Sequence, residues 1–194
     1  MSRATWFCVD IECSGPVPHL YDMISLGVVV LVPNESGGWV PGASHYVELR
    51  PESDRVDPGA MAVNGLDIER LRAAGTPLAD GLRALSLWVA EHTAPGSSPV
   101  FVGHNAPFDW SFVSYAYQLC ELKNPFGYKA LDTKALAMGV LGVHWFDTNK
   151  ELLEVELGLP PQEAGLIHRA DYDAWYQALI LAALLERNPA CAAS

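Results

Sequence analysis

Residues 23–32, Met-Ile-Ser-Leu-Gly-Val-Val-Val-Leu-Val, form a nearly continuous apolar run of strand-forming side chains. It lacks the polar alternation of a half-solvated strand, so both faces must be buried, as for a strand inside a covered sheet. The run before it, residues 4–12, is also rich in strand formers and ends in the turn signal Ser14-Gly15-Pro16. Residues 33–38 reverse the chain, and 44–49 read as a third strand joined by a hairpin. Short strands follow at 100–102 and 129–131. Leu78, Leu82, Leu85 and Val89 recur at helical spacing, and Pro107 opens a helix to about 121 with Phe112, Tyr115, Ala116 and Leu119 inward. Further helical patterns occupy 133–141, 149–157 and 170–186. The reading is one α/β domain over residues 1–194, with its core over about 4–186.

Net charge narrows the partners. With 23 acidic and 12 basic side chains the chain carries −11, which excludes coating of long duplexes through a basic surface. Nucleic acid stays open, because metals held by carboxylates supply local positive charge. Cys8, Cys13, Cys120 and Cys191 include no C-x-x-C pair and are expected as reduced thiols. Residues 1–10 lack a secretory layout, and the strongest apolar runs, 26–32 and 178–185, are too short to span a bilayer. A cytoplasmic protein with no membrane association is expected.

Three segments carry chemistry. Asp10 and Glu12 stand two apart on the first strand, so they share a face, while Phe7, Val9 and Ile11 take the other. Two carboxylates on a central strand are costly unless cations neutralise them, although any lone D-x-E also describes two solvated acids. In residues 102–113 a strand meets a helix, with Asn105 before its start and Asp109 in its first turn. Capping and dipole complementarity account for such residues in any protein, yet strand-to-helix junctions are also where α/β sheets place ligands. The last long helix opens with His168, Asp171 and Asp173. Histidine is the side chain best matched to take a proton near neutral pH, and either aspartate could complement the helix end.

Together these segments resemble the DEDDh 3′–5′ exonuclease superfamily, which includes ribonuclease T, oligoribonuclease and polymerase proofreading subunits. The first family motif matches Asp10-Ile-Glu12-Cys13-Ser14-Gly15, the second Gly103-His-Asn105 with Phe108-Asp109, and the third His168, Ala170 and Asp173. That register favours Asp173 over Asp171. Residues 58–66, ending Val-Asn-Gly-Leu66, resemble the family segment ending V-H-G-I, and Leu131-Asp132-Thr133 its fifth-strand ending. The likeness runs from residue 4 to 186. Cys13 stands where many members have a hydroxyl, and Asn64 where many have His; neither position holds metal in the family. Pro16, Pro18 and His19 predict an unusual loop after Glu12.

The resemblance implies a ribonuclease H-like fold with a mixed five-stranded central sheet flanked by helices. It implies two Mg²⁺ or Mn²⁺ ions, with Asp10 bridging, Glu12 and Asp173 completing one ion's ligands, and Asp109 supporting the other directly or through water. Hard oxygen ligands suit those ions rather than zinc. His168 would accept the proton of the attacking water, releasing nucleoside 5′-monophosphates from the 3′ ends of single-stranded RNA or DNA. Ser14, Gly15, Leu66, Asn105 and Phe108 are the expected substrate contacts. Leu66 and Met61 would form an apolar wedge, Trp110 competes with Phe108 for stacking, and Arg169 and Lys134 are candidate phosphate partners. A homodimer is expected from the family. Alternatives are a catalytically inactive nucleic-acid- or protein-binding module on this fold, and a proofreading subunit. The latter would need a polymerase-contacting tail beyond residue 186, so a free-standing enzyme is the preferred reading.

Overall fold

A computed structural model describes residues 3–188. Its centre is β1 (Arg3–Cys13), which pairs antiparallel with β2 (Met23–Pro33) and parallel with β4 (Ser97–Gly103). β3 (Trp39–Glu48) adds antiparallel to β2, and β5 (Ala130–Asp132) parallel to β4, giving a mixed sheet of order β3-β2-β1-β4-β5. β2 is buried on both faces through Val28 and Val30 on one side and Val29 and Leu31 on the other. The third strand begins five residues earlier than its sequence pattern predicts, with Val32 opposite Val40 and Pro33 opposite Trp39. Pro41 and Gly42 hide it in the sequence, but β3 is an edge, where a missing N–H leaves no ladder bond unmade.

Helices cover both faces. On one, α3 (Leu78–His92) and α4 (Ala106–Leu119) pack Leu82, Leu85, Phe112, Val113 and Tyr117 against Phe7, Val9 and Ile11. Leu119, predicted inward, is exposed; Val113 and Tyr117 take the inner stripe of α4 instead. On the other face, α7 (Ala170–Arg187) lays Ala174, Ala178 and Leu181 over Cys8, Val29 and Val102. The far side of α7 holds α5 (Thr133–Leu141) and α6 (Lys150–Leu157) through Tyr176, Ile180 and Leu184 against Ala137, Leu153 and Leu157.

Two seven-residue helices, α1 (Pro58–Asn64) and α2 (Ile68–Ala74), were not predicted. Both begin at an aspartate cap: Asp57 accepts the Ala60 N–H, and Asp67 those of Glu69 and Arg70. The Asp57-Pro58 pair was the available signal, a cap followed by the residue best suited to a first helical turn.

One glycine sets where α7 starts. Gly27 lies opposite Asp10 in the β1–β2 ladder, and a Cβ there would fall 2.1 Å from the Ala170 carbonyl oxygen. Only a bare backbone lets the first turn of α7 settle on the sheet beside Asp10. Among the described residues no helix is long and apolar enough to cross a membrane. Cys8, Cys13 and Cys120 are free thiols; Cys191 lies outside the described residues.

Candidate active site

Asp10 and Glu12 project from β1 to the side away from Phe7, Val9 and Ile11, as period-two geometry requires. Asp109 arrives from the first turn of α4 and is nearly fully buried. Its Oδ1 accepts the backbone N–H of Ile11 at 3.1 Å, which anchors α4 between the two strand acids. Asp173 comes from the first turn of α7 and is equally buried, with Oδ2 accepting the His168 N–H at 2.7 Å. The four carboxylates and His168 line one cleft of about 580 Å³. Ligand-capable atoms of Glu12, His168 and Asp173 lie within 4.8 Å of one another.

Both helix approaches bend through the left-handed region: Asn105 at φ 70° and His168 at φ 65°. Neither is glycine, and non-glycine residues held there cluster at ligand sites. Asn105 makes no side-chain cap on α4; its backbone N–H donates to Asp132 Oδ1 at 3.1 Å, and it faces the cleft. The cleft holds two histidines with opposite surroundings. His104 sits against the Thr133 hydroxyl at 2.8 Å, and burial, with Lys150 and Lys134 nearby, pushes its pKa down to about 3. His168 is exposed and lines the same cleft.

Charge is crowded here. Burial raises Asp10 well above the carboxylate range, against the pull of Lys150 and with help from Asp109, Asp173 and Glu12. Burial together with Asp173 and Asp109 pushes Glu12 up to about 8, and burial lifts Asp109 to about 7. One ammonium, that of Lys150, is too little for four carboxyl groups, so such a cage favours further cations. The donors are hard oxygens and one imidazole, and burial pushes the neighbouring Cys13 thiol up to about 12, so it offers no thiolate. The set fits Mg²⁺ or Mn²⁺ and argues against a thiolate-bound ion.

Two residues that the sequence did not single out complete the cage. Gln177, one helical turn after Asp173 and fully buried, donates through Nε2 to Asp10 Oδ1 at 2.5 Å. Lys150, the first residue of α6, hydrogen-bonds Asp173 Oδ1 with its ammonium, which stands 3.9 Å from Asp10 Oδ1. Burial works against that ammonium, but Asp10 and Asp173 outweigh it and hold its pKa above the ordinary value. A buried polar residue on the otherwise apolar stripe of α7 was a readable signal for Gln177; nothing local marked Lys150.

The expected substrate contacts divide. Phe108 and Glu12 belong both to the acidic cleft and to a neighbouring one of about 350 Å³, whose wall includes Gly15, Pro16, Ala60 and Val63. Gly15 is held against the Tyr21 ring, where a Cβ would fall 2.3 Å from the ring edge. Trp110 turns to the core, edge-on to Phe101 at 5.1 Å. Two expected contacts lie outside both clefts. Ser14 is fully buried and lines neither cleft; its hydroxyl donates to the Arg55 carbonyl and accepts the Asp22 N–H, pinning the loop after β1. Leu66 and Met61 line neither cleft, because α1 ends before Leu66 and turns Ala60 and Val63 toward the opening. Asn64 ties that helix to β1 by donating to the Cys13 carbonyl at 3.2 Å. Arg169 is engaged by Asp171 at 2.9 Å, which also takes Asp171 out of the cage. Lys134 lies in the cleft over the Trp145 ring, 5.2 Å from its centre.

No family model matches the sequence. Among curated proteins, the 3′–5′ DNA exonuclease Cap18 of Escherichia coli is 36% identical over 170 residues, covering 88% of this chain and 86% of that protein. Ribonuclease T of Yersinia enterocolitica is 28% identical over 184 residues, covering 92% and 83%. Among solved structures, the nuclease domain of 3′hExo, a DEDDh family member bound to rAMP, superposes with a TM-score of 0.77 at 15% identity, over 94% of this chain and 92% of that one. Exonuclease I superposes with a TM-score of 0.71 at 18% identity, covering 98% of this chain and 42% of its own. A ribonuclease H-like sheet could be shared by distant proteins, but identity of this depth along nearly the whole chain cannot be put down to architecture alone, and the chain belongs to the DEDDh family of 3′–5′ exonucleases.

Proposed function

We propose that this chain hydrolyses single-stranded nucleic acid from the 3′ end, one nucleoside 5′-monophosphate at a time, as a single exonuclease domain working in the cytoplasm. The observation that carries the reading is the meeting of Asp10, Glu12, Asp109 and Asp173 in one cleft with the exposed imidazole of His168 at its rim. Two Mg²⁺ or Mn²⁺ ions held by those carboxylates would polarise the scissile phosphate and acidify the attacking water. His168 accepts the proton of that water, and the hydrogen bond from its N–H to Asp173 fixes the loop that presents the ring. Gln177 holds Asp10 in one rotamer by donating to Oδ1. The terminal nucleoside fits the neighbouring cleft, where Phe108 supplies a stacking surface that tolerates any base. A pocket that grips only the last nucleotides agrees with a chain of net charge −11, which has little to offer a long phosphate backbone.

The relative at 36% identity is named for DNA and the one at 28% for RNA, so DNA is the substrate we put first. The test is digestion of 5′-labelled DNA and RNA oligomers of matched sequence with Mn²⁺. A shortening ladder that EDTA stops, and that Asp10→Ala abolishes, is expected. Unchanged digestion by folded Asp10→Ala protein overturns the site assignment, and faster loss of the RNA oligomer reverses the substrate order.

A further inference from the structure

Lys150 has no part in the hydrolytic scheme, yet it occupies the most contested point of the cleft. Its ammonium bonds Asp173 and stands 3.9 Å from Asp10, while Gln177 donates to the same Asp10 oxygen. Its side chain is 17% exposed. It is the first residue of α6, the end of a helix where a cation is disfavoured by the helix dipole. The helix therefore gains nothing from a lysine there; the carboxylate cage does. Its base is also fixed: Asn149 caps α6 by accepting the Leu152 N–H, and Leu153 and Leu157 lock the helix onto α7.

We propose that Lys150 is a built-in cation that keeps the carboxylate cage folded when metal is scarce, and that a divalent ion must displace it from Asp10 and Asp173 to load the site. The proposal rests on the metal-site reading given above. Four carboxyl groups share one ammonium, so oxygens remain for a divalent ion, whose charge favours their ionised form. Because the ion and the ammonium compete for the same oxygens, loading is coupled to the lysine swinging away. The protein then exists in a folded, silent state at low divalent concentration and in a loaded state above it.

The test is Mn²⁺ titration by calorimetry, without nucleic acid, of the parent chain, Lys150→Met and Lys150→Arg. Methionine keeps the length of the stem and removes the charge, so Lys150→Met should bind Mn²⁺ roughly tenfold tighter or better, as expected for losing one close competing charge. Lys150→Arg should bind no tighter than the parent. If Lys150→Met does not fold in EDTA, excess Mn²⁺ should restore its native circular dichroism, since the ion then supplies the missing charge. In the parent, Mn²⁺ should raise acylation of Lys150 by an amine-directed reagent while Lys123 serves as the unchanged reference. Equal or weaker Mn²⁺ binding by folded Lys150→Met, or an unfolded variant that Mn²⁺ fails to rescue, overturns the displacement. Parent protein that binds no Mn²⁺ removes the metal site itself, an outcome distinct from the first two.

Discussion

α4 and α7 deliver their aspartates by the same local device and hold them by different means. Each helix lacks a side-chain cap, has a left-handed residue one (Asn105) or two (His168) positions before its start, and carries its acid in the first turn. Asp109 is then bound to scaffold, since Oδ1 accepts the backbone N–H of Ile11 on β1. Asp173 is bound to groups that can leave or move: the side chain of Lys150 and the loop N–H of His168. One acid is placed by the fold whatever the cleft contains. The other is held by exchangeable partners, which is what a carboxylate that must receive an ion requires.

Substitution to asparagine, which preserves shape and removes charge, puts that contrast at risk. Asp173→Asn should reduce single-turnover cleavage of a 5′-labelled oligonucleotide to background with either Mg²⁺ or Mn²⁺. Asp109→Asn keeps an acceptor for the Ile11 N–H and should lose about 10–100-fold, the range for a supporting group beside a metal ligand. Equal losses would mean that the two helices present equivalent ligands and that the distinction between fixed and exchangeable acids has no functional content.

His168 sharpens the α7 side. Its φ of 65° makes alanine a poor replacement, because a Cβ residue without a short polar side chain tolerates that region badly. His168→Asn suits the backbone and should slow cleavage by roughly 10²–10⁴-fold, the range for losing a general base. His168→Ala should add a fall in stability of less than about 1 kcal/mol, the worth of the several-fold preference of histidine for that region, read from thermal unfolding. If the asparagine variant cleaves like the parent, the proton acceptor is another group. Below these in size stands Gln177→Leu, which frees Asp10 to change rotamer and should lower kcat about tenfold with little change in KM, the cost of one hydrogen bond to a charged group.

How much of this was readable before the structure differs by residue. Asp10 and Glu12 were legible because strand periodicity alone puts them on one face, and Asp109 and Asp173 because each falls in a helix's first turn. The preference for Asp173 over Asp171 came from family register; the fold supplies its reason, since Asp171 points outward to Arg169. β3 was half legible, its first residues masked by Pro41 and Gly42 at an edge that tolerates both. That Ala60 and Val63 line the cleft was not legible, because a seven-residue helix, invisible to periodicity, decides which side chains of that segment meet it. Lys150 was out of reach: its position depends on α6 docking onto Tyr176 and Ile180 of α7, a tertiary fact with no local signature.

The smallest effect concerns stability, and it separates the two helices once more. Unfolded carboxyls ionise near about 4. In the folded, metal-free cage Glu12 is held up to about 8 and Asp109 up to about 7. Between those limits the native state binds more protons than the unfolded chain, so stability falls as pH rises. The contribution is whole below about pH 4 and gone once pH passes about 8. Thermal unfolding in EDTA should therefore drop from pH 5 to pH 8, each kcal/mol lost lowering Tm by about 2–4 °C in a chain of this size. Mn²⁺, which takes the ionised form, should shrink or reverse that drop. Asp109→Asn cannot ionise at the position tied to β1, so its EDTA profile should be shallower than the parent's; a profile of unchanged slope would show that the anchored acid is not one of the groups that titrate there.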